Sequence, residues 1–363
     1  STLQQEANNK LNYPLEITQS FAQKLYEQGY ITYIRTDSTT ISEEFLPSIE
    51  NYVKTTYGDE YFQLRQQSES VKTKTKKKVV ESQDAHECIR PTNLELDSSE
   101  IFDDGERKLY NLIWKRTIAS QMTNKLVERT TLMIDISTVQ TSKFVCETDV
   151  TTFKGFTIVY DNTELNTECE LDKYKEGDNL IKDEIISTEK FTQPPSKYTE
   201  SSIIKELEKK GIGRPSTYVS SYQTNINRNY IIKENKPSTT KITFTITLDN
   251  ENNIKEVEKE QSVAGEKNKL YSTPIGQKVD KFLNDNFNDV INYEFTANME
   301  KGLDKIANGE QSLNGVLGEF YNEFYPKIKE FNHKSSTSKS LGEKKNKEIY
   351  LKVSKYGHWL QWG

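Results

Sequence analysis

The chain has 363 residues, of which 33% are hydrophobic and 29% are charged, and its formal net charge is −6. Length and composition favour a polar, globular protein of several domains. Because there is no apolar run near the length of a membrane span and no secretory leader, we expect no membrane partner. The three cysteines, Cys88, Cys146 and Cys169, lie far apart without a C-x-x-C pair. This spacing excludes a zinc ribbon and a disulfide framework and suits a reducing, intracellular compartment.

The charge is distributed unevenly along the chain. Five lysines fall within residues 72–78, whereas residues 95–106 contain six acids and no base. Residues 197–236 contain eight basic and four acidic side chains. Such patches permit binding to a polyanion, although a lysine run by itself is typical of a solvated loop.

The first predicted elements are two helices separated by a strand. Residues 16–28 have helical apolar spacing and end at Gly29, and a β-branched run around Tyr33 follows. In a strand, Tyr33 and Arg35 point to the same face. A second helix is predicted from near Ser42, a polar loop at residues 64–84, and a third helix at residues 106–122.

Residues 126–191 change to a β pattern. Alternating apolar residues and two β-rich runs, residues 144–146 and 156–160, predict strands, and Pro194-Pro195 closes the segment. A helix capped by Thr199 and ending at Gly211, a glycine turn, a helix from Pro215 and a β run at residues 241–248 then outline a winged helix-turn-helix. An ordinary helical hairpin is the alternative interpretation.

The remaining third is predicted as a polar insertion at residues 249–269, helices from Pro274 to about Phe331, and a Ser/Lys-rich linker. Alternation at Ile349, Leu351 and Val353 predicts the first hairpin of a further module. No G-x-x-x-x-G-K-[ST] sequence occurs, so nothing indicates nucleotide hydrolysis.

Three stretches carry side chains suited to phosphate chemistry. Residues 29–39 place the Tyr33 phenol two positions from the Arg35 guanidinium, which favours a phenolate and binds phosphate in bidentate fashion. Residues 85–92 contain His86, one of three histidines in the chain, and residues 210–218 contain Arg214 before a helix N-terminus.

Together these stretches resemble the type IA DNA topoisomerases, as do residues 1–7, 205–210 and 295–300. Residues 31–38, ITYIRTDS, are similar to that family's active-site tyrosine motif, and Ile34 favours the bacterial topoisomerase I branch. The resemblance implies a mixed α and β, multidomain fold with winged-helix-like helical domains joined by a β-rich strap. The expected domains are an active-site tyrosine domain at 1–125, a strap at 126–193, a DNA-binding domain at 194–332, a linker at 333–348 and the start of a C-terminal DNA-binding repeat at 349–363.

The resemblance also implies ATP-independent relaxation of negatively supercoiled DNA through a transient 5′-phosphotyrosine link. Tyr33 would be the nucleophile, Arg35 would hold the phosphate, and His86 would contact phosphate or assist proton movement. Asp37 would orient its basic neighbours. The residues expected to grip the DNA strand are Arg214, Ser216, Thr217 and Arg228.

The chain departs from the family because no Toprim domain, which would hold Mg²⁺, is recognisable in it. We therefore expect a piece of a longer protein, monomeric and inactive in cleavage by itself, that needs a Toprim half in cis or in trans. Its expected location is the cytoplasm, the nucleoid or another intracellular DNA compartment. Cys88 and Asn229 replace residues that are usually Ala and Gly. The alternative hypothesis is a non-catalytic, regulatory protein that binds single-stranded DNA and keeps the topoisomerase architecture.

Overall fold

The structure is a computed structural model that describes residues 1–65, 86–161, 169–334, 339–344, 347–354 and 357–362. The lysine run at residues 72–78 and most of the loop predicted at 64–84 lie outside the described residues. The described chain divides into two compact units, one of residues 1–209 with 213–273 and the other of residues 210–212 with 274–363. No described helix is long and apolar enough to cross a membrane.

The first unit opens with four helices that surround two apolar clusters. The helices are α1 (Thr2–Leu11), α2 (Leu15–Glu27), α3 (Leu46–Tyr57) and α4 (Asp104–Ser120). Amphipathic spacing turns one side of each helix to the core. Leu25, Ile31 and Tyr110 belong to the first cluster, whereas Ile49 and Ile118 belong to the second.

The prediction of a strand around Tyr33 is wrong. Ile31 makes a single antiparallel bridge with Pro91, and the backbone bends at Ile34 and Arg35. Proline has no N–H to extend a ladder, and the Thr32 hydroxyl hydrogen-bonds to the neighbouring backbone. The predicted alternation of side chains is therefore lost at this motif.

Two other sequence expectations near this region also fail. Helix α3 begins at Leu46 rather than near Ser42, because Pro47 fits only the first turn of a helix. The run at residues 156–160 is not a strand, since Gly155–Val159 forms a 3-10 helix after a glycine with φ +50°. A Cβ at Gly155 would lie 2.3 Å from the Asn124 carbonyl oxygen, so the chain turns where only glycine fits.

Antiparallel strands and a helical pair complete the first unit. The strands are β1 (Leu126–Ile136), β2 (Val139–Phe153), β3 (Ile185–Thr188), β4 (Ile231–Lys236), β5 (Thr239–Leu248), β6 (Ile254–Val263) and β7 (Glu266–Ser272). Helices α5 (Glu200–Lys210) and α6 (Pro215–Asn227) lie between β3 and β4. The sheets have the orders β1-β2, β3-β5-β6 and β4-β7.

These pairings change two predictions. The run at residues 241–248 pairs with β3 and β6, so the strands that follow α6 as a separate two-stranded ribbon are β4 and β7. The polar segment predicted as an insertion at residues 249–269 contains β6 and the start of β7. Periodicity missed β6 because most of its side chains are exposed on both faces.

The second unit contains the last three helices, α7 (Pro274–Ile291), α8 (Phe295–Ala307) and α9 (Leu313–Lys334). Aromatic rings join them: between ring centroids, Phe287 of α7 lies 6.0 Å from Phe324 of α9, and Phe295 of α8 lies 5.9 Å from Phe320 of α9. A three-stranded sheet of order β10-β9-β8 follows, formed by β8 (Lys339–Lys344), β9 (Lys347–Ser354) and β10 (Gly357–Trp362). Strand β8 lies within the linker predicted at 333–348, whereas the predicted hairpin is confirmed as β9 and β10.

Candidate active site

The Tyr33 ring lies between two other rings. His86 is 5.0 Å away between ring centroids and tilted by 53°, and Tyr26 from α2 packs edge-on at 5.5 Å. Among the described residues, no side chain or carbonyl accepts a hydrogen bond from the Tyr33 hydroxyl. The structure therefore brings two of the three predicted catalytic side chains together and holds the phenol by its ring. Arg35 and Asp37, two and four positions further along the chain, are exposed.

Backbone and hydroxyl hydrogen bonds join the first two motifs. The Thr32 N–H donates to the Arg90 carbonyl at 2.9 Å, the Arg90 N–H donates to Thr32 Oγ1 at 2.9 Å, and Thr32 Oγ1 donates to the Cys88 carbonyl at 2.8 Å. The Cys88 N–H also donates to the Thr40 carbonyl at 2.7 Å. Residues 86–92 are thus fixed against residues 30–40, which explains how His86 reaches Tyr33.

An arginine–glutamate pair stabilises the contact between the first two motifs. Arg90 Nε and Nη2 donate to the two carboxylate oxygens of Glu87 at 2.8 and 2.9 Å, and the guanidinium lies 3.8 Å from the centroid of the Phe45 ring. Burial by itself raises the pKa of Glu87, but hydrogen bonds from Arg90 and Ser42 outweigh it and hold that pKa below its usual value. Glu87 therefore remains ionised and bound to Arg90 at neutral pH.

We expect Arg90→Lys to lower the free energy of unfolding by about 1–2 kcal/mol, because lysine loses both the bidentate geometry and the stacking on Phe45. The matched control is Arg129→Lys, which breaks a bidentate pair with Asp149 whose arginine side chain is 59% exposed, against 11% for Arg90. That exposed pair should contribute less than about 1 kcal/mol. Urea denaturation compares the two, and equal losses would contradict the structural role of Arg90.

Cys88 lies in the same contact between the two motifs, where it is an unreactive packing residue. Burial raises the pKa of the Cys88 thiol to about 11, with the Glu87 charge acting in the same direction. A protonated thiol is a poor nucleophile and a poor metal ligand. The thiol therefore has no chemical role beside Tyr33 at neutral pH.

The third motif forms the turn between α5 and α6. Gly213 has φ +72°, a left-handed conformation that favours glycine, and Arg214 precedes the first residue of α6. The Arg214 N–H donates to Thr217 Oγ1 at 2.9 Å, and Thr217 Oγ1 donates to the Arg214 carbonyl at 3.1 Å. Thr217 thus closes the N-terminus of α6, whereas the neighbouring Ser216 is exposed.

We expect Gly213→Ala to lower the free energy of unfolding by about 1–2 kcal/mol because the backbone is left-handed there. A contact with Thr217 should add to this loss. A Cβ at this position would lie 3.0 Å from Thr217 Oγ1, whereas a Cβ at Gly29, with φ +77°, would meet nothing within 4 Å. Gly29→Ala is therefore the matched control for backbone strain alone. Urea denaturation should show a larger loss for Gly213→Ala, and an equal loss would show that the Thr217 contact is unimportant.

Tyr218, the last residue of the third motif, is a buried phenol. Burial raises the pKa of Tyr218 to about 12, the charges of Glu208 and Asp37 act in the same direction, and Arg214 opposes them. Tyr218 therefore stays protonated at neutral pH.

Helix α1 and the start of α2 hold α5 in this position. Ser1 Oγ donates to Glu208 at 2.5 Å and Ser201 Oγ donates to Asn9 at 2.9 Å, so α1 runs antiparallel to α5. At the first turn of α5, the buried Glu200 carboxylate accepts hydrogen bonds from three elements. The donors are the Leu15 N–H at 3.2 Å, the Tyr222 hydroxyl at 3.1 Å and Lys233 Nζ at 2.7 Å.

Arg228 lies away from the other predicted site residues. It caps the C-terminus of α6, whereas Arg214 caps the N-terminus. At 1.5 Å per residue the two ends are about 20 Å apart. Asn229 follows with φ +55°, which explains why a glycine would also suit this position.

Thr32, Glu87, Arg90 and Glu200 hold the site together, and sequence reasoning did not identify any of them. Their contacts between segments join residues 22 to 185 positions apart, and the Glu87–Arg90 pair lies within one motif. In the sequence, the one sign of these supporting residues was that Glu87 is adjacent to His86. Carboxylates suited to a metal are lacking here: among the described residues no group of three or more His, Cys, Asp and Glu could hold an ion. Glu87 is bound to Arg90, so the residues present do not fit Mg²⁺.

Comparison with known proteins agrees with this geometry. A family model described as DNA topoisomerase matches residues 1–262 and 250–318. A prokaryotic-type DNA topoisomerase 1 of Acanthamoeba polyphaga mimivirus is 37% identical over 98% of this chain and 44% of its own length. DNA topoisomerase 1 of Escherichia coli strain K12 is 34% identical over 89% of this chain and 33% of its own.

A solved structure extends the similarity to the fold. Full-length topoisomerase I from Thermotoga maritima matches with a TM-score of 0.68 and 30% identity, over 99% of this chain and 54% of that protein. The chain spans less than half the length of the two curated relatives above. With the tyrosine motif, its two companion stretches and the matching fold in place, the chain belongs to the type IA DNA topoisomerases, in the branch of bacterial topoisomerase I.

Proposed function

We propose that this chain supplies the nucleophile for ATP-independent relaxation of negatively supercoiled DNA. The observation that carries the proposal is the position of the Tyr33 phenol, 5.0 Å from the His86 ring by centroids and beside the exposed Arg35. A phenol beside an imidazole, with a guanidinium two positions further along the chain, suits attack on a phosphodiester. On this proposal, Arg214 at the N-terminus of α6 supplies a second cation to the bound strand.

The proposed reaction is a reversible exchange of ester bonds. Tyr33 Oη forms a bond to phosphorus as the bond from phosphorus to the 3′ oxygen breaks, and the phenolic proton is transferred overall to that oxygen. Another strand passes through the gap, and the 3′ hydroxyl then attacks the phosphotyrosine to restore both groups. No bond is hydrolysed, so the cycle needs no ATP.

Each neighbouring residue has a role that its position supports. Arg35 binds the scissile phosphate and stabilises the charge of the transition state. His86 contacts the phosphate or moves the proton, and Asp37 orients the adjacent cations. Arg214 and Ser216 contact the strand at the N-terminus of α6, where the helix dipole favours an anionic phosphate. Arg228 contacts the strand further along, since it lies at the far end of that helix.

We also propose that Mg²⁺ is held by a Toprim domain supplied in cis or in trans. No step is assigned to the metal here, because the described carboxylates do not form a site for it. On the same proposal, helix α5, α6 and the β4–β7 ribbon act as a winged helix that binds single-stranded DNA, and the protein acts as a monomer.

A covalent-adduct assay tests the proposal. The chain is mixed with the Toprim half of a family member, Mg²⁺ and a single-stranded oligonucleotide labelled at its 3′ end, and is then denatured. A 3′ label is required because a 5′-phosphotyrosine link retains the downstream fragment. A labelled protein band is the expected result. Its absence from a complex shown to be folded and associated would instead favour a DNA-binding protein without catalysis.

A further inference from the structure

A group of lysines gathers on the β4–β7 ribbon, at the end of α5 remote from Arg214. Lys236 lies on β4, Lys267 and Lys269 lie on β7, and Lys197 precedes α5. The Leu270 N–H donates to the Tyr198 carbonyl at 2.8 Å, which fixes the Lys197 segment against β7. Side chains from three separate segments therefore form one surface.

The contacts of these lysines are with rings and neutral oxygens. Lys236 Nζ and Lys197 Nζ lie 4.3 and 4.8 Å from the centroid of the Tyr271 ring. Lys269 Nζ donates to Ser196 Oγ at 2.5 Å and to the Lys197 carbonyl at 3.2 Å. In the part of the chain that the structure describes, none of the four forms a salt bridge with a carboxylate.

Two glutamates offset only part of this charge, although the strand register sets Glu266 opposite Lys236 and Glu234 opposite Lys269. The Glu266 carboxylate accepts a hydrogen bond from the Tyr271 hydroxyl, and a second glutamate, Glu234, lies on β4. With residues 196–198, the ribbon strands contain five lysines and two glutamates, and one of the five, Lys233, is bound to Glu200. A positive surface in a chain of net charge −6 attracts anions.

A cleft of about 440 Å³ at the end of the ribbon adds further hydrogen-bond donors. Its polar lining consists of Asn235, Lys236, Ser238, Glu266, Lys267 and Asn268. A Cβ at Gly265 would lie 2.3 Å from the Lys236 carbonyl oxygen, so the backbone closes tightly there. Ammonium, amide and hydroxyl groups around a shallow cleft are the groups that contact nucleic-acid phosphates.

We propose that the lysines of the β4–β7 ribbon form a second contact surface for the phosphate backbone of single-stranded DNA, separate from the Tyr33 site. The choice of DNA as ligand rests on the proposed function. Helix α5 has 11 residues, so the ribbon and Arg214 lie about 16 Å apart along it. A strand must be long enough to span both, and the ribbon then adds affinity without sequence preference.

The test is the salt dependence of binding by the intact chain. Binding of an oligonucleotide of about 16 nucleotides is measured against salt for the parent and for a variant with Lys236→Gln, Lys267→Gln and Lys269→Gln. Losing three phosphate contacts on a single strand should reduce the slope of log K against log salt by about 2. The control has Lys241→Gln, Lys255→Gln and Lys259→Gln, which removes the same charge from exposed positions on β5 and β6.

Further measurements vary the length of the oligonucleotide, the substitution and the type of ligand. With an oligonucleotide of about 4 nucleotides the ribbon variant should bind like the parent. Lys267→Glu alone, at an exposed position, should also lower the slope and guards against misfolding of the triple variant. An unchanged slope in both ribbon variants, an equal change in the control, or weakened binding of a polyglutamate peptide but not of DNA would overturn the proposal. Absence of the Tyr33 adduct would instead refute the proposed function and leave the slope difference intact.

Discussion

A Tyr33→Phe variant is expected to fold like the parent chain and to form no covalent adduct with DNA. The substitution removes one oxygen and leaves the ring, so the packing against Tyr26 and His86 remains. Without the nucleophile, strand cleavage by this route should fall by a factor on the order of 10⁴ or more. Adduct formation with the 3′-labelled oligonucleotide and relaxation of negatively supercoiled DNA are the two measurements.

The control is Tyr26→Phe, which alters a neighbouring phenol of the same environment. Its ring packs edge-on against Tyr33 at 5.5 Å, and the adduct should persist in this variant. A labelled band that survives in Tyr33→Phe would place the nucleophile elsewhere. Loss in both variants would show that the assay reports damage to the ring cluster rather than chemistry.

Glu200→Ala is expected to lower the free energy of unfolding by about 3 kcal/mol. Glu200 is 5% exposed and accepts from the Leu15 N–H and the Tyr222 hydroxyl. Each buried donor left without an acceptor costs about 1–3 kcal/mol. The Lys233 side chain is 40% exposed, so it regains water and contributes little to the loss.

The loss of stability in Glu200→Ala should be largest in the elements that the Glu200 carboxylate joins. Hydrogen exchange should increase in peptides that contain the first turn of α2 and the middle of α6, because the carboxylate joins these elements. Lys205→Ala, an exposed change on the same helix, should alter the stability by less than about 0.5 kcal/mol. A Glu200→Ala chain with the stability and exchange pattern of the parent would contradict this role.

Local patterns were sufficient to predict most helices. Residues 16–28 were predicted and α2 is Leu15–Glu27, and the third predicted helix corresponds to α4 within two residues at each end. Thr199 was predicted to cap α5, and its Oγ1 accepts from the Ser202 N–H at 3.3 Å. These features depend on residues three to five positions apart, which a single sequence displays.

The errors occur where distant segments decide the backbone. Tyr33 lies in an apolar run typical of a strand, but its partner segment presents Pro91, so only one bridge forms. Strand β6 is polar on both faces and is fixed by its pairing with β5, which no alternation reveals. Within the candidate site, the reactive side chains Tyr33 and His86 could be named from their chemistry. The residues that hold them, Thr32 and Arg90, could not, because their hydrogen bonds cross 56 or more positions.

The hydrogen bonds between the first two motifs also determine how far the site depends on chain continuity. On one side, Arg65 Nη2 donates to the Met122 carbonyl at 3.2 Å, and on the other, residues 86–92 are held by Thr32 and Thr40. Both borders of residues 66–85 are thus anchored independently. A split protein whose halves meet between Arg65 and His86 can therefore keep His86 beside Tyr33, because the contacts of Thr32 and Thr40 do not depend on a covalent connection there.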